Sequence, residues 1–205
     1  MKMTASTYQI IDPGLEFRGP APDGGKMKYV DSGIIHHSAS SNDTVYSIHE
    51  YHKEKKGYWG IGYQFVVDKE GNIYRGRPEE YVGAHAGSSN DYNHHSIGIC
   101  FIGNYEGDLA KGIAPEIMPE AQLAAGRWLI HVYLKSKYGA LKYFRHGDVT
   151  ATACPGKYFP WDWLMAEYIG STRYAVCIGE YDTEAEAQAV ASVLSKIFNA
   201  KVIKQ

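Results

Sequence analysis

Phe144-Arg145-His146-Gly147-Asp148-Val149-Thr150-Ala151-Thr152-Ala153-Cys154-Pro155-Gly156 places one histidine eight positions before one cysteine. Lys142-Tyr143-Phe144-Arg145 reads as a short strand leading into His146, so the histidine stands at a strand end. Imidazole nitrogen and thiolate sulfur are donors that zinc prefers, at about 2.0–2.1 and 2.3 Å. Two such donors make half of a tetrahedron. The same spacing also suits a core cysteine near a polar histidine, and the pair alone does not choose. A third donor has to come from elsewhere in the chain, and a catalytic site would leave the fourth position open.

Composition excludes several classes. At 205 residues, 44% hydrophobic and 21% charged, the chain is an ordinary globular sequence rather than a disordered one. A formal net charge of -2 argues against a nucleic-acid partner held by bulk electrostatics. Seventeen tyrosines and four tryptophans suit either a sugar-binding groove or an aromatic core. Cys100, Cys154 and Cys177 are odd in number and widely spaced, which favours a reduced compartment or a metal role over a disulfide framework. The first residues, Met1 to Phe17, lack the apolar core of a signal peptide, and no run reaches the ~18 apolar residues of a membrane span. The expectation is a protein that is cytoplasmic on synthesis and has no membrane span.

Residues 1–27 are rich in Gly and Pro and read as an extended lead-in. Ser32 to His37 reads as a strand ending in polar residues, followed by a helix through Val45, Ile48, Tyr51, His52 and Lys55, capped by Asn42 or Asp43 and stopped by Gly57. Gly62 to Val67 and Asn72 to Arg75 flank a turn at Lys69-Glu70-Gly71, as in a hairpin. Ser96 to Ile102 is almost unbroken apolar sequence, as expected of a strand covered on both faces. The longest helix is expected from Pro119 to Tyr138, with a polar stripe of Glu120, Arg127, His131 and Lys135, and a closing helix from Tyr158 to Tyr168. This is an α/β domain with a central mixed β-sheet flanked by helices, occupying residues 1–168. Residues 172–205 show a separate strand–helix–strand pattern, too small to be stable alone.

The third donor has nine histidines to come from: His36, His37, His49, His52, His85, His94, His95, His131 and His146. His49, His52 and His131 lie on helices and read as surface or satisfied core side chains. His94 and His95 sit in a loop and suit either a ligand or solvent. His36 and His37 end a buried strand, where neighbours point to opposite faces, so only one of them can face a given site. Spacing does not say which.

Five blocks then occur in order across residues 34–156: IIHHSAS, GIGYQFVVDKEGNIYRGR, YVGAHA, NHHSIGICFIGNYEG and HGDVTATACPG. Together they resemble the zinc-dependent N-acetylmuramoyl-L-alanine amidases of the type-2 family, which includes phage endolysins and animal peptidoglycan recognition proteins. The resemblance implies zinc ligands at His36, His146 and Cys154, with Tyr63 and Thr152 as catalytic residues. It implies a substrate-groove contact at His85, and His37, Asn93 and His94 are further candidate substrate contacts. Some relatives carry a catalytic Glu where this chain has Cys100, which puts a Glu-base mechanism in doubt and favours the tyrosine.

The implied activity is hydrolysis of the amide between N-acetylmuramic acid and L-alanine of the peptidoglycan stem peptide, by an endolysin acting on the wall after release. A non-catalytic peptidoglycan-binding module and a cytoplasmic wall-recycling amidase are the alternatives. The presence of Cys154 argues against the first and a wall-binding tail against the second. The tail resembles a single SPOR-type repeat, which implies a small C-terminal βαβ unit for wall binding or for forming a homodimer.

Overall fold

Strand β2 (Ser32–His37) is buried at every position, and so is β5 (Ser96–Phe101), its parallel neighbour. Burial at every position is what strands with cover on both faces show. The computed structural model describes residues 8–22, 24–87 and 91–166. The expected C-terminal strand–helix–strand, with its wall-binding or dimerising role, lies outside the described residues. Around β2 and β5 stand β1 (Ile10–Ile11), β3 (Phe65–Val67), β4 (Ile73–Arg75) and β6 (Lys142–Arg145), in the order β1-β4-β3-β5-β2-β6. Among these six strands β3 and β4, the expected hairpin, pair antiparallel and the other pairs are parallel, so the sheet is mixed.

Period-two alternation sorts the strands onto two covered faces. Ile35, Phe65, Val67, Ile97, Ile99 and Phe101 pack beneath α2 (Glu120–Trp128), with Leu123, Ala125, Leu129 and Leu134 above them. Val66 and Cys100 point to the other face, against Val45 and Ile48 of α1 (Val45–Glu50). His36 pairs with Cys100 in register and so belongs to the α1 face, whereas His37 pairs with Phe101 and belongs to the α2 face. Buried polar groups stitch the layers. Gln122 donates to the carbonyls of Val67 and Ile102 at 2.9 Å each and accepts the Tyr105 hydroxyl at 2.6 Å.

Several element ends differ from expectation, each for a local reason. The cap of α1 is Thr44 rather than Asn42 or Asp43: its hydroxyl accepts Ser47 N–H at 3.0 Å while Ser47 Oγ accepts Thr44 N–H at 2.8 Å. This reciprocal pair satisfies two amides that an isolated cap would leave open. The helix continues through a wider π turn at Tyr51–Lys55. The expected long helix is three consecutive pieces, α2, a π segment at Leu129–Leu134 and α3 (Lys135–Tyr138).

Its supposed polar stripe is partly inside. Arg127 is 4% exposed and donates to the Trp163 carbonyl, and His131 Nε2 lies 2.9 Å from the Leu164 carbonyl. Both carbonyls belong to α5 (Trp161–Met165), which begins only after Pro160 and is shorter than the closing helix expected from Tyr158. A short α4 (His146–Val149) follows β6 directly.

Glu79, whose side chain is 3% exposed, gathers Arg75 Nη1 at 2.6 Å, Lys137 Nζ at 3.1 Å and the hydroxyls of Tyr133 and Tyr138 at 2.9 and 3.1 Å. Burial alone would raise its pKa, but hydrogen bonds from Arg75, Lys137 and Tyr133 hold it below its ordinary value of 4.5. A carboxylate depressed in the folded state contributes stability above its unfolded pKa and loses it as pH falls. Glu79→Ala is therefore expected to cost about 1.5–3 kcal/mol at neutral pH. The difference from wild type should shrink once pH falls below 4.5, as read from urea midpoints over a pH series.

Candidate metal centre

The register of three parallel strands brings distant residues together. Ile35 of β2 lies opposite Arg145 of β6, so the residues that follow, His36 within β2 and His146 at the start of α4, emerge side by side at the same sheet edge. Their rings are 4.4 Å apart. In open α/β sheets this edge, outside the carboxyl ends of the strands, is where ligands bind.

The loop after α4 returns Cys154 to the same place. Gly147 N–H donates to the Cys154 carbonyl at 2.7 Å, and His37 N–H donates to Cys154 Sγ at 3.4 Å. Gly156, at φ +106°, passes so close to Tyr105 that a β-carbon would fall 2.4 Å from its backbone, which restricts this position to glycine. The donor atoms of His36, His146 and Cys154 lie within 4.8 Å of one another. They are the only group of three or more such residues among the described residues.

His146 Nε2 is buried with no hydrogen-bond partner. An imidazole nitrogen left bare in this way is costly unless something outside the protein completes it. Burial, then the charges of His85 and His146, holds His36 well below its ordinary pKa of 6.5, and burial lowers His146 as well. Both rings are therefore neutral at pH 7 with a lone pair to offer. Burial pushes the Cys154 thiol up to about 11, against the pull of the His37 amide. A thiol in that state asks for a cation beside it to become a thiolate. Two neutral imidazoles and one thiol fit a tetrahedral zinc site with a position left over.

Around the trio, the structure brings some of the expected residues close and keeps others away. The Tyr63 ring is 4.9 Å from that of His36, and burial raises its phenol well above its ordinary value of 10. Thr152 is exposed beside the cluster, with Oγ1 accepting Cys154 N–H at 3.3 Å. His85 is buried, with Nδ1 3.1 Å from His36 Nε2.

His37 turns to the opposite face, where Nδ1 accepts Tyr105 N–H at 3.2 Å, and so does not reach the trio. The Asn93 side chain is spent on its own loop, accepting His85 and Ala86 N–H at 2.9 Å each and donating to the Gly87 carbonyl at 2.7 Å. His94 is exposed at the end of a single turn, Tyr92–His94.

Two histidines read from sequence as surface or satisfied core side chains prove to shape the site. His52 Nδ1 accepts Gly62 N–H at 2.9 Å and its ring lies 5.3 Å from Tyr63. His49 Nδ1 accepts Ile61 N–H at 3.2 Å, while Nε2 faces the Glu16 carbonyl at 3.0 Å. Together they fix the turn that carries Tyr63. No sequence signal marks them, because their partners are backbone amides.

Residues 26–157 match the N-acetylmuramoyl-L-alanine amidase family. Peptidoglycan-recognition protein SC1a of Drosophila melanogaster is 34% identical over 162 residues, 75% of this chain and 83% of that protein. The endolysin of Escherichia phage T7 is 34% identical over 146 residues, 70% of this chain and 91% of that protein. The solved structure of the N-acetylmuramoyl-L-alanine amidase LysC from Clostridium intestinale superposes with a TM-score of 0.63 at 33% identity, covering 77% of this chain and 95% of that one.

His52→Leu should leave a buried amide at Gly62 unsatisfied and destabilise the fold by about 1–3 kcal/mol. Burial holds His52 down to about 4, so its contribution is complete above its ordinary pKa of 6.5 and is lost as pH falls through 4. The wild type should accordingly lose more stability than His52→Leu between neutral pH and pH 4, by thermal melts in matched buffers.

Proposed function

This chain belongs to the N-acetylmuramoyl-L-alanine amidase family, and from that premise we propose that it is a zinc-dependent endolysin. It cleaves the amide joining N-acetylmuramic acid to L-alanine of the peptidoglycan stem peptide. The observation that carries the metal reading is the bare, buried Nε2 of His146 beside His36 and Cys154. These three side chains hold the ion. Zinc, when bound, supplies a Lewis acid that polarises the scissile carbonyl and acidifies a water molecule.

The chain's own residues do the rest. Tyr63, against His36, has its phenol held well above its ordinary value by burial, so it stays protonated at neutral pH and orients the attacking water through a hydrogen bond. Its turn is fixed by His49 and His52, which keeps that bond aimed without reorganisation. Thr152 accepts the Cys154 amide through Oγ1, which leaves its hydroxyl hydrogen free for the carbonyl oxygen as charge develops there. The His37 amide, donating to Cys154 Sγ, stabilises the sulfur as a thiolate. No helix among the described residues is long and apolar enough to cross a membrane. The proposed site of action is the cell wall, reached after release from the cytoplasm.

Turbidity loss of purified cell walls, with new L-alanine amino termini, should accompany wild-type protein and stop on chelation. Cys154→Ser should stay folded, bind walls, and lose both zinc and hydrolysis. Full hydrolysis by that variant with no metal detectable would refute the mechanism. Thr152→Val should lower kcat about 10²-fold or more at unchanged zinc content, and an unaltered kcat would remove Thr152 from the reaction.

A further inference from the structure

One buried imidazole at the cluster has no part in these steps. His85 is 6% exposed, and the resemblance implies only a groove-lining contact for it. Its ring sits between Gly83 and Gly98, where added β-carbons would fall 2.6 and 2.5 Å from ring carbon Cδ2. Asn93 grips the backbone on either side of it, through the amides of His85 and Ala86. Sheet and loop thus form a seat in which the ring has little freedom to turn.

From that seat, His85 Nδ1 lies 3.1 Å from Nε2 of His36. The other nitrogen of His36, Nδ1, lies 3.8 Å from Cys154 Sγ. Two neutral imidazoles in contact share a single hydrogen between the facing nitrogens. If it resides on His36 Nε2, then Nδ1 of His36 turns a lone pair toward Cys154 and His146. If it resides on His85 Nδ1, then His36 Nδ1 carries a hydrogen instead and is no donor to a metal. The ligand quality of His36 therefore depends on what His85 accepts.

We propose that His85 is a positioning residue: seated by Gly83, Gly98 and Asn93, it accepts a hydrogen bond from His36 Nε2–H and fixes His36 in the tautomer and ring orientation that offers Nδ1 to zinc. This rests on the metal reading given above. Partners of this kind, bonded to the far nitrogen of a ligating histidine, alter metal affinity by about 10–100-fold when removed. His85 acts on the metal through His36 and on the substrate not at all.

The test uses full-length protein and zinc, with affinity measured by chelator competition. His85→Phe keeps a ring for the seat but offers no acceptor, and it should bind zinc about 10–100-fold more weakly at an unchanged KM for wall fragments. His85→Gln, whose amide oxygen can accept, should recover much of the affinity. In nitrogen-edited NMR of the zinc-loaded wild type, His36 should carry its hydrogen on Nε2 and have Nδ1 bound to the ion.

Wild-type zinc affinity in His85→Phe together with a raised KM would overturn the proposal and make His85 a substrate contact. A hydrogen on His36 Nδ1 would overturn it as well, without needing any variant to fold. Failure of the wild type to take up zinc would sink the metal reading itself, whereas normal uptake with an indifferent His85→Phe would sink this inference alone.

Discussion

Parallel pairing of β2 with β6 is the constraint on which the rest depends. It brings His36 beside His146, although more than a hundred residues separate them along the chain. A loop could not do this as well, because β2 is buried at every position, and a slip by one residue would turn each of its side chains to the wrong face. The same slip would exchange His36 for His37. Burial of Ile34 and Ile35, each fully inside, therefore fixes the site as firmly as any bond at the site itself. Loop closure from β6 to Cys154 is short by comparison, and its geometry is settled by backbone bonds to Gly147 and the tight passage of Gly156 over Tyr105.

Histidine is used here in two ways that look alike in sequence. His36 and His146 are held neutral with a lone pair toward the cluster, while His49 and His52 are held neutral with lone pairs turned to backbone amides. Burial lowers the pKa of all four, so perturbed titration alone does not pick out the donors. What separates them is convergence: His36 and His146 place a nitrogen within 4.8 Å of each other and of Cys154 Sγ, whereas His49 and His52 spend theirs on backbone amides. Only geometry gives that answer.

Much of the fold was legible in the chain itself. The apolar run from Ser96, the hairpin around Gly71 and the strand ending in His36-His37 all appear where periodicity puts them. The resemblance of five ordered blocks located the amidase family. Choosing between His36 and His37 from residues alone was out of reach, because it requires knowing which strand lies alongside and which face carries α1. Periodicity puts Arg127 and His131 on the polar stripe of the long helix, and polarity alone does not tell a wet stripe from one whose groups are bonded inside. Their partners, carbonyls at α5, carry no sequence signature. The cap at Thr44 was missed because Asn42 and Asp43 are equally good cap types, and only the reciprocal bond with Ser47 decides among them.

Helix α1 and its extension carry opposite duties on opposite sides. Inward, His49 and His52 grip the turn before Tyr63; outward, Tyr46 and Tyr51 are 57% and 51% exposed. Such a division sets two different tolerances to substitution along one segment. The outer positions can be recoded for solubility, surface chemistry or attachment of a label with little consequence for turnover. The inner pair ties helix placement to the reactive edge, so a library built on this helix would sample binding properties at its rim while leaving the chemical step untouched.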